Sequence, residues 1–177
     1  MRRYILTGAP GAGKTTILHA LQARGLAVVE EAATDVVAAG LARGVAEPWT
    51  DPDFIDAIVA IQQQRQLAAS GGDLQVFDRS PVCTHALAVH LGRPISAGLL
   101  AEIGRIQREA TYETGVFFIE TLGFIEPTAV RRISFEDALK FEAVHEQSYR
   151  AFGYDLIRIA PASIEARVEA ILAHIAP

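Results

Sequence analysis

Short apolar runs alternate along this chain with longer segments in which apolar residues recur every three or four positions. The short runs are typical of buried strands, and the longer segments are typical of helices that bury one face. The runs that predict strands end near Thr7, Glu30, Phe77, Ile119 and Ile159. Because helical segments separate all of them, the pattern predicts right-handed crossovers and a parallel sheet. We therefore expect a three-layer α/β fold with a five-stranded parallel sheet.

Capping residues and glycines mark where several of these helices begin and end. Ser134, with Asp137 three positions later, resembles a capping box and predicts the start of a long helix. Asp51 followed by Pro52 predicts another start, with the proline in the first helical turn. Gly25 predicts the end of the first helix.

Polar and charged residues gather where the predicted strands end. In open parallel sheets the ligand lies beyond the carboxyl ends of the strands. The candidates at these ends are Thr7, Glu30, Glu31, Asp78, Arg79 and Glu120. The sequence therefore predicts one site along a single edge of the sheet.

The segment GAPGAGKTT, residues 8–16, follows the first strand and fits the pattern G-x-x-x-x-G-K-[ST]. Its glycines let backbone N–H groups point at phosphate oxygens, and the following helix adds its positive end. Lys14 is expected to span the β- and γ-phosphates, and the Thr15 hydroxyl to ligate Mg²⁺. The residues expected to hold the nucleotide here are Gly8, Ala9, Pro10, Gly11, Ala12, Gly13, Lys14, Thr15 and Thr16.

The third strand ends in Asp78 and Arg79, which suit phosphoryl transfer. An aspartate there can hold Mg²⁺ through water or accept a proton from an attacking hydroxyl, and a contact with the helix start near Ser80 is the alternative. The planar guanidinium of Arg79 suits a phosphate or carboxylate of the substrate. An ion pair with Asp78 or Glu31 is its alternative.

The second strand ends in Glu30 and Glu31, of which one faces the cleft because neighbouring side chains of a strand point to opposite faces. We expect Glu31 to be the carboxylate beside the acceptor hydroxyl. Glu120, after the fourth strand, is a candidate for substrate binding or for the metal shell, with a solvated strand end as the alternative.

Two further regions are candidates for closing the site and for holding the acceptor. Residues 121–133 show no clear period, and the paired Arg131 and Arg132 suggest a short lid, at about residues 121–134, that closes on the triphosphate. A solvated loop is the alternative. Trp49, Phe54 and the segment 62–65, which ends in Arg65, lie where an acceptor pocket would form. The polar face of a helix is the other interpretation of that segment.

Composition narrows the classes of function. The chain has 177 residues, which fits one domain over 1–177, and a net charge of -5, which argues against a general nucleic-acid surface. No apolar run approaches the length of a membrane span. Cys83 is the only cysteine, and we expect it to be a packed thiol. A single cysteine and the lack of a recognisable signal peptide together indicate a cytoplasmic protein. Because the sequence contains no asparagine, the guanine-reading N-K-x-D motif and the protein-kinase catalytic loop are both excluded.

Taken together, these segments resemble the small P-loop kinases and the related group of AAA-type ATPase domains. That group is similar to ribosylnicotinamide kinases and chloramphenicol phosphotransferase, and the triplet Asp78-Arg79-Ser80 is similar to the acid-Arg-Ser of deoxynucleoside kinases. The resemblance implies that the Asp78 strand lies beside the nucleotide-loop strand. It also implies that adenine binds near Pro161, Ala162 and Ser163. Related sequences often carry an arginine where this chain has Thr34, so a charged acceptor is not indicated there.

The resemblance and the strand-end residues predict an ATP- and Mg²⁺-dependent phosphotransferase acting on a hydroxyl group of a small molecule. In this interpretation Lys14, Glu31, Asp78, Arg131 and Arg132 are catalytic. Thr15 and Asp78 would hold the metal, while Glu31, Arg79, Glu120 and Arg65 would contact the acceptor. An ATPase or nucleotide-dependent switch acting on a protein partner is the alternative. The sequence indicates neither the acceptor nor the oligomeric state.

Overall fold

The computed structural model describes residues 1–123 and 134–176, in which helices cover both faces of one parallel sheet. Within these residues the strands are β1 (Arg2–Thr7), β2 (Ala27–Val29), β3 (Leu74–Asp78), β4 (Gly115–Ile119) and β5 (Asp155–Ile159). The helices of the same part of the chain are α1 (Lys14–Ala23), α2 (Ala33–Ala42), α3 (Phe54–Ala68), α4 (Pro81–His90), α5 (Ala97–Arg108), α6 (Phe135–Ala151) and α7 (Ile164–Ile175). A short 3₁₀ turn at Pro48–Thr50 precedes α3.

The strands are arranged in the order β2-β3-β1-β4-β5, and every neighbouring pair is parallel. Leu6 of β1 is in register with Asp78 of β3, and Thr7 is in register with Phe118 of β4. The strand that enters the glycine-rich loop is therefore central, with the Asp78 strand at its side. Both the predicted fold and the neighbour implied by the resemblance are confirmed.

Alternate residues of β1 pack on opposite faces of the sheet, which fixes the position of the strand. Ile5 joins a buried cluster formed with α2 to α6, whereas Tyr4 and Leu6 join a second cluster formed with α1 and α7. Burying one such large apolar side chain stabilises the fold by about 1.5–3 kcal/mol. A slip of one residue would exchange the two faces. The strand ends, and the side chains that follow them, are consequently held in fixed positions.

The predicted start of α6 is confirmed in detail. The backbone N–H of Asp137 donates to Ser134 Oγ at 3.1 Å, and the Ser134 hydroxyl donates to the Asp137 carboxylate at 2.8 Å. This cap satisfies a backbone donor that the helix itself leaves without a partner. It fixes the first turn of a helix that later contributes to the site.

The predicted start of α3 at Asp51 and Pro52 is wrong by two residues. The helix begins at Phe54 with Asp53 as its N-cap residue, and the Asp53 N–H donates to Asp51 Oδ1 at 2.8 Å. Asp51 has an extended backbone, with ψ at 131°, as expected for a residue before proline. Its side chain therefore closes a turn ahead of the helix instead of capping the helix.

None of the helices within residues 1–123 and 134–176 combines the length and the apolar character that a membrane crossing requires.

Candidate active site

A cavity of about 910 Å³ opens at the carboxyl edge of the sheet. One end is lined by the glycine-rich loop and the start of α1. The other end, the acceptor arm, is lined by side chains of α2, α3, α4 and α6 together with Trp49 and Glu47. The volume lies in the range of small-molecule sites, which are about 300–1,000 Å³. The cavity thus has room for a nucleotide and for part of a second small molecule.

The loop is built from glycines in left-handed conformations, and two of them make close approaches. Gly8 has φ +133°, and a Cβ added to it would lie 2.3 Å from the carbonyl oxygen of Ile119 in β4. Gly13 has φ +85° and is the N-cap residue of α1. Only glycine allows this backbone path between β1, β4 and α1.

Lys14 begins α1 and is buried beneath the loop. Its ammonium group donates to the carbonyl oxygen of Ala9 at 2.8 Å, across the turn that the loop makes. Burial, together with the Arg79 charge, lowers the pKa of Lys14 to about 8, despite the opposing effect of Asp78. The side chain is therefore mostly protonated at neutral pH.

Asp78 ends β3 directly beside β1 and is buried. Burial raises the pKa of its carboxyl group above the ordinary value, although Lys14 and Arg79 act in the opposite direction. Its Oδ1 has no hydrogen-bond partner among the described residues. A buried carboxylate oxygen left in this way is costly unless a further ligand satisfies it.

Thr15 and Asp78 fit the donor set that Mg²⁺ needs beside a triphosphate. Thr15 is exposed at the start of α1, and Asp78 supplies the unpartnered buried oxygen. Among the described residues no group of three or more His, Cys, Asp or Glu side chains forms a metal cluster. Mg²⁺ in kinases requires no such cluster, since it is usually held by one or two side chains with waters and phosphates.

Glu31 and Arg79 form a salt bridge in the lining of the cavity. Arg79 Nε donates to Glu31 Oε1 at 2.5 Å, and the Thr34 hydroxyl donates to Oε2 at 3.1 Å. Burial raises the pKa of Glu31, but the Arg79 and Lys14 charges outweigh it and bring the pKa below its ordinary value. Glu31 is therefore ionised at neutral pH. The ion pair that was the alternative for Arg79 is present.

His145 of α6 holds the far side of Arg79, and no sequence pattern pointed to it. Its Nδ1 lies 2.9 Å from the Phe141 carbonyl oxygen, which can only accept, so Nδ1 carries the hydrogen. Nε2 then accepts from Arg79 Nη1 at 3.2 Å. Burial first, and then the Arg79 charge, hold the pKa of His145 well below its ordinary value. A neutral histidine thus completes the support of Arg79.

The acceptor arm is mainly apolar, and a hydrogen-bonded pair of side chains, Gln62 and Thr84, lies in its lining. Its apolar walls are Val37, Trp49, Phe54, Ile58, Leu87, Leu91 and Phe141. Within it the Thr84 hydroxyl donates to Gln62 Oε1 at 2.9 Å, which leaves the amide NH₂ group of Gln62 as a donor. Trp49, Phe54 and Gln62 belong to the region in which an acceptor pocket was predicted, whereas Phe141 was not anticipated.

The structure does not bring Arg65 or Glu120 into the cavity. Arg65 Nη1 donates to the backbone carbonyls of Glu30 and Glu31 at 2.9 and 2.7 Å, and Nη2 pairs with Asp35. Glu120 accepts from Arg158 at 3.0 Å. Arg65 therefore stabilises the strand end that carries Glu31. The predicted contact between Arg65 and substrate is not supported by this geometry. Of the adjacent glutamates, Glu31 lines the cavity and Glu30 is exposed.

Two predicted elements of the site stay predictions. Residues 161–163 follow β5 at the same edge of the sheet and are exposed, with Ser163 capping α7, but they do not line the cavity. Arg131 and Arg132 of the predicted lid lie outside the described residues.

The parallel sheet, its strand order and the glycine-rich loop between β1 and α1 define a small P-loop NTPase with a kinase-like fold. The chain belongs to the family described as "AAA domain", which matches residues 3–167. The resemblance stated from the sequence is confirmed at this level, while the similarity to ribosylnicotinamide kinases and chloramphenicol phosphotransferase stays a prediction. No curated protein matches the sequence.

Two solved structures of deoxyadenosine kinase from M. mycoides are similar to this chain. The structure with the products dCMP and a flexible dCDP bound has a TM-score of 0.65 and 12% identity. The structure with bound dATP has a TM-score of 0.53 and 11% identity. In both cases the match covers 98% of this chain and 98% of the other. At such low identity the similarity establishes the fold alone.

Proposed function

We propose that this protein is an ATP- and Mg²⁺-dependent kinase that phosphorylates a hydroxyl group of an uncharged small molecule. The observation that carries the proposal is the continuous cavity between the glycine-rich loop and the acceptor arm. Glu31 lines this cavity together with Lys14 and Thr15 of the loop and Thr34 of α2. An enzyme that transfers a phosphoryl group needs both a nucleotide site and an adjoining acceptor site, and the cavity supplies space for each.

On the nucleotide side, the loop N–H groups, the N-terminal end of α1 and the Lys14 ammonium group favour the charge of a triphosphate. Thr15 and Asp78 are the residues that would hold Mg²⁺. The metal ion, when bound, neutralises charge on the β- and γ-phosphates. A triphosphate held by the loop would offer the Lys14 ammonium group phosphate oxygens in place of the Ala9 carbonyl.

On the acceptor side, the ionised Glu31 takes up the proton of the attacking hydroxyl group. The acceptor oxygen forms a bond to the γ-phosphorus while the bond from that phosphorus to the β-phosphate oxygen breaks, and ADP leaves. Arg79 and Thr34 each occupy one position on the carboxylate, which offers about four lone-pair positions in all. Room for the substrate hydroxyl therefore remains.

The lining of the acceptor arm favours an uncharged acceptor with a flat apolar part. The basic residues of the described lining are Lys14, Arg79 and His90. Lys14 belongs to the nucleotide loop, Arg79 is held by Glu31 and His145, and the His90 ring stacks on Phe141 with centroids 4.5 Å apart. No arginine or lysine among the described lining residues is left to bind an acceptor phosphate. Nucleosides are the first candidates, since the similar structures are deoxyadenosine kinases.

A nucleotide-dependent switch acting on a protein partner is the alternative. The two proposals differ in what they require between residues 34–65 and 82–111. A kinase requires a pocket there, and Thr34, Gln62, Thr84 and Leu87 line one. A switch requires loops whose order depends on the γ-phosphate. The pocket favours the kinase.

A ligand screen tests the proposal directly. Purified protein with Mg²⁺ and a non-hydrolysable ATP analogue is heated with members of a panel of nucleosides, sugars and hydroxyl-bearing antibiotics, and the melting temperature is recorded. We expect stabilisation by the ATP analogue and a further increase with one uncharged class. Lys14→Ala is the control and should lose the first increase. If no uncharged compound binds while phosphorylated or carboxylated ones do, the proposed acceptor class is wrong.

A further inference from the structure

A buried arginine lies behind the nucleotide loop, on the side away from the cavity. Arg167 belongs to the first turns of α7 and is 1% exposed, which places it among the largest fully buried side chains of the described residues. Its Nη1 donates to the carbonyl oxygen of Ala12 at 2.7 Å. A Cβ added to Gly13 would lie 2.9 Å from Nη2. The guanidinium therefore packs directly against the end of the loop.

The charge of Arg167 has no protein counter-charge in the described part of the chain. No carboxylate there lies within 4.0 Å of its guanidinium, and Nε has no hydrogen-bond partner. Burial lowers the pKa of Arg167, but an arginine side chain stays protonated in proteins. A buried charge without a partner is costly, so its presence calls for a compensating function.

The contact with Ala12 also orients a donor of the loop. In a trans peptide the carbonyl oxygen and the following N–H point in opposite directions. Because the Ala12 carbonyl points at Arg167, the N–H of Gly13 points away from Arg167, toward the phosphate side of the loop. A hydrogen bond to the carbonyl oxygen of a peptide also strengthens its N–H as a donor.

We propose that Arg167 is a positioning residue for the nucleotide phosphates, which turns the Gly13 N–H toward them and supplies a positive charge that the bound phosphates neutralise. The inference rests on the proposed binding of ATP at the loop. It adds a cationic group from α7 that the glycine-rich motif does not contain. Arg167 acts through the Ala12–Gly13 peptide and does not contact the nucleotide.

Two substitutions separate its charge from its hydrogen bond. Arg167→Gln keeps an NH₂ donor on a side chain of moderate length and removes the charge. Arg167→Lys keeps the charge and loses the planar set of guanidinium donors. Arg24→Gln is the matched control, because Arg24 also bridges α1 and α7, through Glu169, at the end of α1 away from the loop. The affinities of all variants for Mg²⁺·ATP and for adenosine are measured by calorimetry.

We expect Arg167→Gln to weaken ATP binding by about ten- to a hundredfold, while adenosine binding changes by less than about threefold. Arg167→Lys should keep the preference for ATP over adenosine within about threefold of the wild type, and Arg24→Gln should change neither affinity. If Arg167→Gln loses affinity for ATP and for adenosine equally, Arg167 has only a structural role. An unchanged ATP affinity in Arg167→Gln would lead to the same conclusion.

Arg167→Lys decides the question if Arg167→Gln does not fold. A retained preference for ATP supports the proposal, and a loss of about tenfold or more in that preference overturns it, because the charge is still present. Wild-type protein that fails to bind ATP would overturn the proposed function and this inference with it. If the wild type binds ATP and Arg167→Gln binds it equally well, this inference is overturned, while the proposed function is not.

Discussion

The guanidinium of Arg79 and the carboxylate of Glu31 meet at the ends of two neighbouring strands, with Nε and Oε1 2.5 Å apart. Arg79 adopts φ +72°, a conformation uncommon for a residue other than glycine. Its backbone N–H donates to Leu6 at 3.0 Å, which ties the turn after β3 to β1. This strained turn directs the guanidinium across β3 toward β2. The base proposed for the acceptor hydroxyl therefore has a fixed cationic neighbour.

Removal of that neighbour should destabilise the protein in a pH-dependent way. The side chains of Arg79 and Glu31 are 12% and 27% exposed, so Arg79→Met should cost about 2 kcal/mol of unfolding free energy at neutral pH, below the value for fully buried pairs. The pKa of Glu31 is lowered in the fold. Its contribution is therefore complete above the ordinary value of 4.5 and is lost as the pH falls through the lowered pKa.

Urea denaturation of the wild type and Arg79→Met at neutral and acidic pH measures this difference. Arg158→Met is the control, since Arg158 forms ion pairs at the surface and its loss should cost less than about 1 kcal/mol. A difference between the wild type and Arg79→Met that is the same at both pH values would show that Glu31 is not stabilised by Arg79.

ATP binding should weaken as the pH rises through the pKa of Lys14. Burial lowers that pKa to about 8, so the free protein loses the ammonium charge above this pH, and ATP favours the charged form. We expect the ATP affinity to be steady well below pH 8, to begin to fall as the pH approaches 8, and to fall by up to about tenfold per pH unit above it. Lys14→Arg should bind more weakly but with no such slope, because a guanidinium stays charged. A wild-type affinity that is constant to about pH 10 would contradict the buried, titrating ammonium.

The elements and the nucleotide loop could be predicted because local signals determine them. A short apolar run before the glycine-rich loop identified β1, and the Ser134–Asp137 pair identified the start of α6. The carboxyl-end rule then placed Glu31 and Asp78 at one edge of the sheet, where Glu31 lines the cavity and Asp78 lies buried at the end of β3. These inferences need no knowledge of how distant helices pack.

The partners of the side chains could not be predicted, because they depend on packing between segments far apart in sequence. His145 reaches Arg79 from 66 residues away, and Arg167 reaches Ala12 from 155 residues away. Arg65 is an instructive failure. Its position one helical turn after Gln62 suggested a contact with substrate, yet its guanidinium binds the backbone at the end of β2 and the Asp35 carboxylate. These partners lie 30 or more residues away along the chain, so the helical pattern alone did not reveal them.

The close approach at Gly8 should make that position intolerant of any side chain. A Cβ there would lie 2.3 Å from the Ile119 carbonyl, so Gly8→Ala should separate β1 from β4 and cost more than about 3 kcal/mol. Gly25→Ala is the matched control. Gly25 also has a positive φ, at +88°, but has open space around it, and the substitution should cost only about 1–2 kcal/mol. Equal melting temperatures for the two variants would contradict the packing described.

Gln62 should determine affinity in the acceptor arm without affecting the nucleotide. Gln62→Met keeps the shape of the side chain but removes the NH₂ group that the bond from Thr84 leaves free. We expect acceptors found in the screen to bind about tenfold more weakly, the usual loss for one hydrogen bond, with ATP affinity unchanged. Thr84→Val, which removes the support of the amide, should show a smaller effect in the same direction. Unchanged acceptor affinity in both variants would place the acceptor elsewhere in the cavity.

Transfer of labelled phosphate from γ-labelled ATP to an uncharged acceptor distinguishes a kinase from an ATPase. The assay compares the wild type, Glu31→Gln and Asp78→Asn on the uncharged compounds that stabilise the protein. We predict transfer by the wild type. Glu31→Gln should keep Mg²⁺·ATP binding and lose about 10²- to 10⁴-fold in transfer, the range for a general base, whereas Asp78→Asn should also lose its response to Mg²⁺. Release of free phosphate by the wild type with no labelled acceptor would contradict the proposed kinase. Loss of Mg²⁺·ATP affinity in Glu31→Gln as severe as in Asp78→Asn would contradict the separate roles of the two carboxylates.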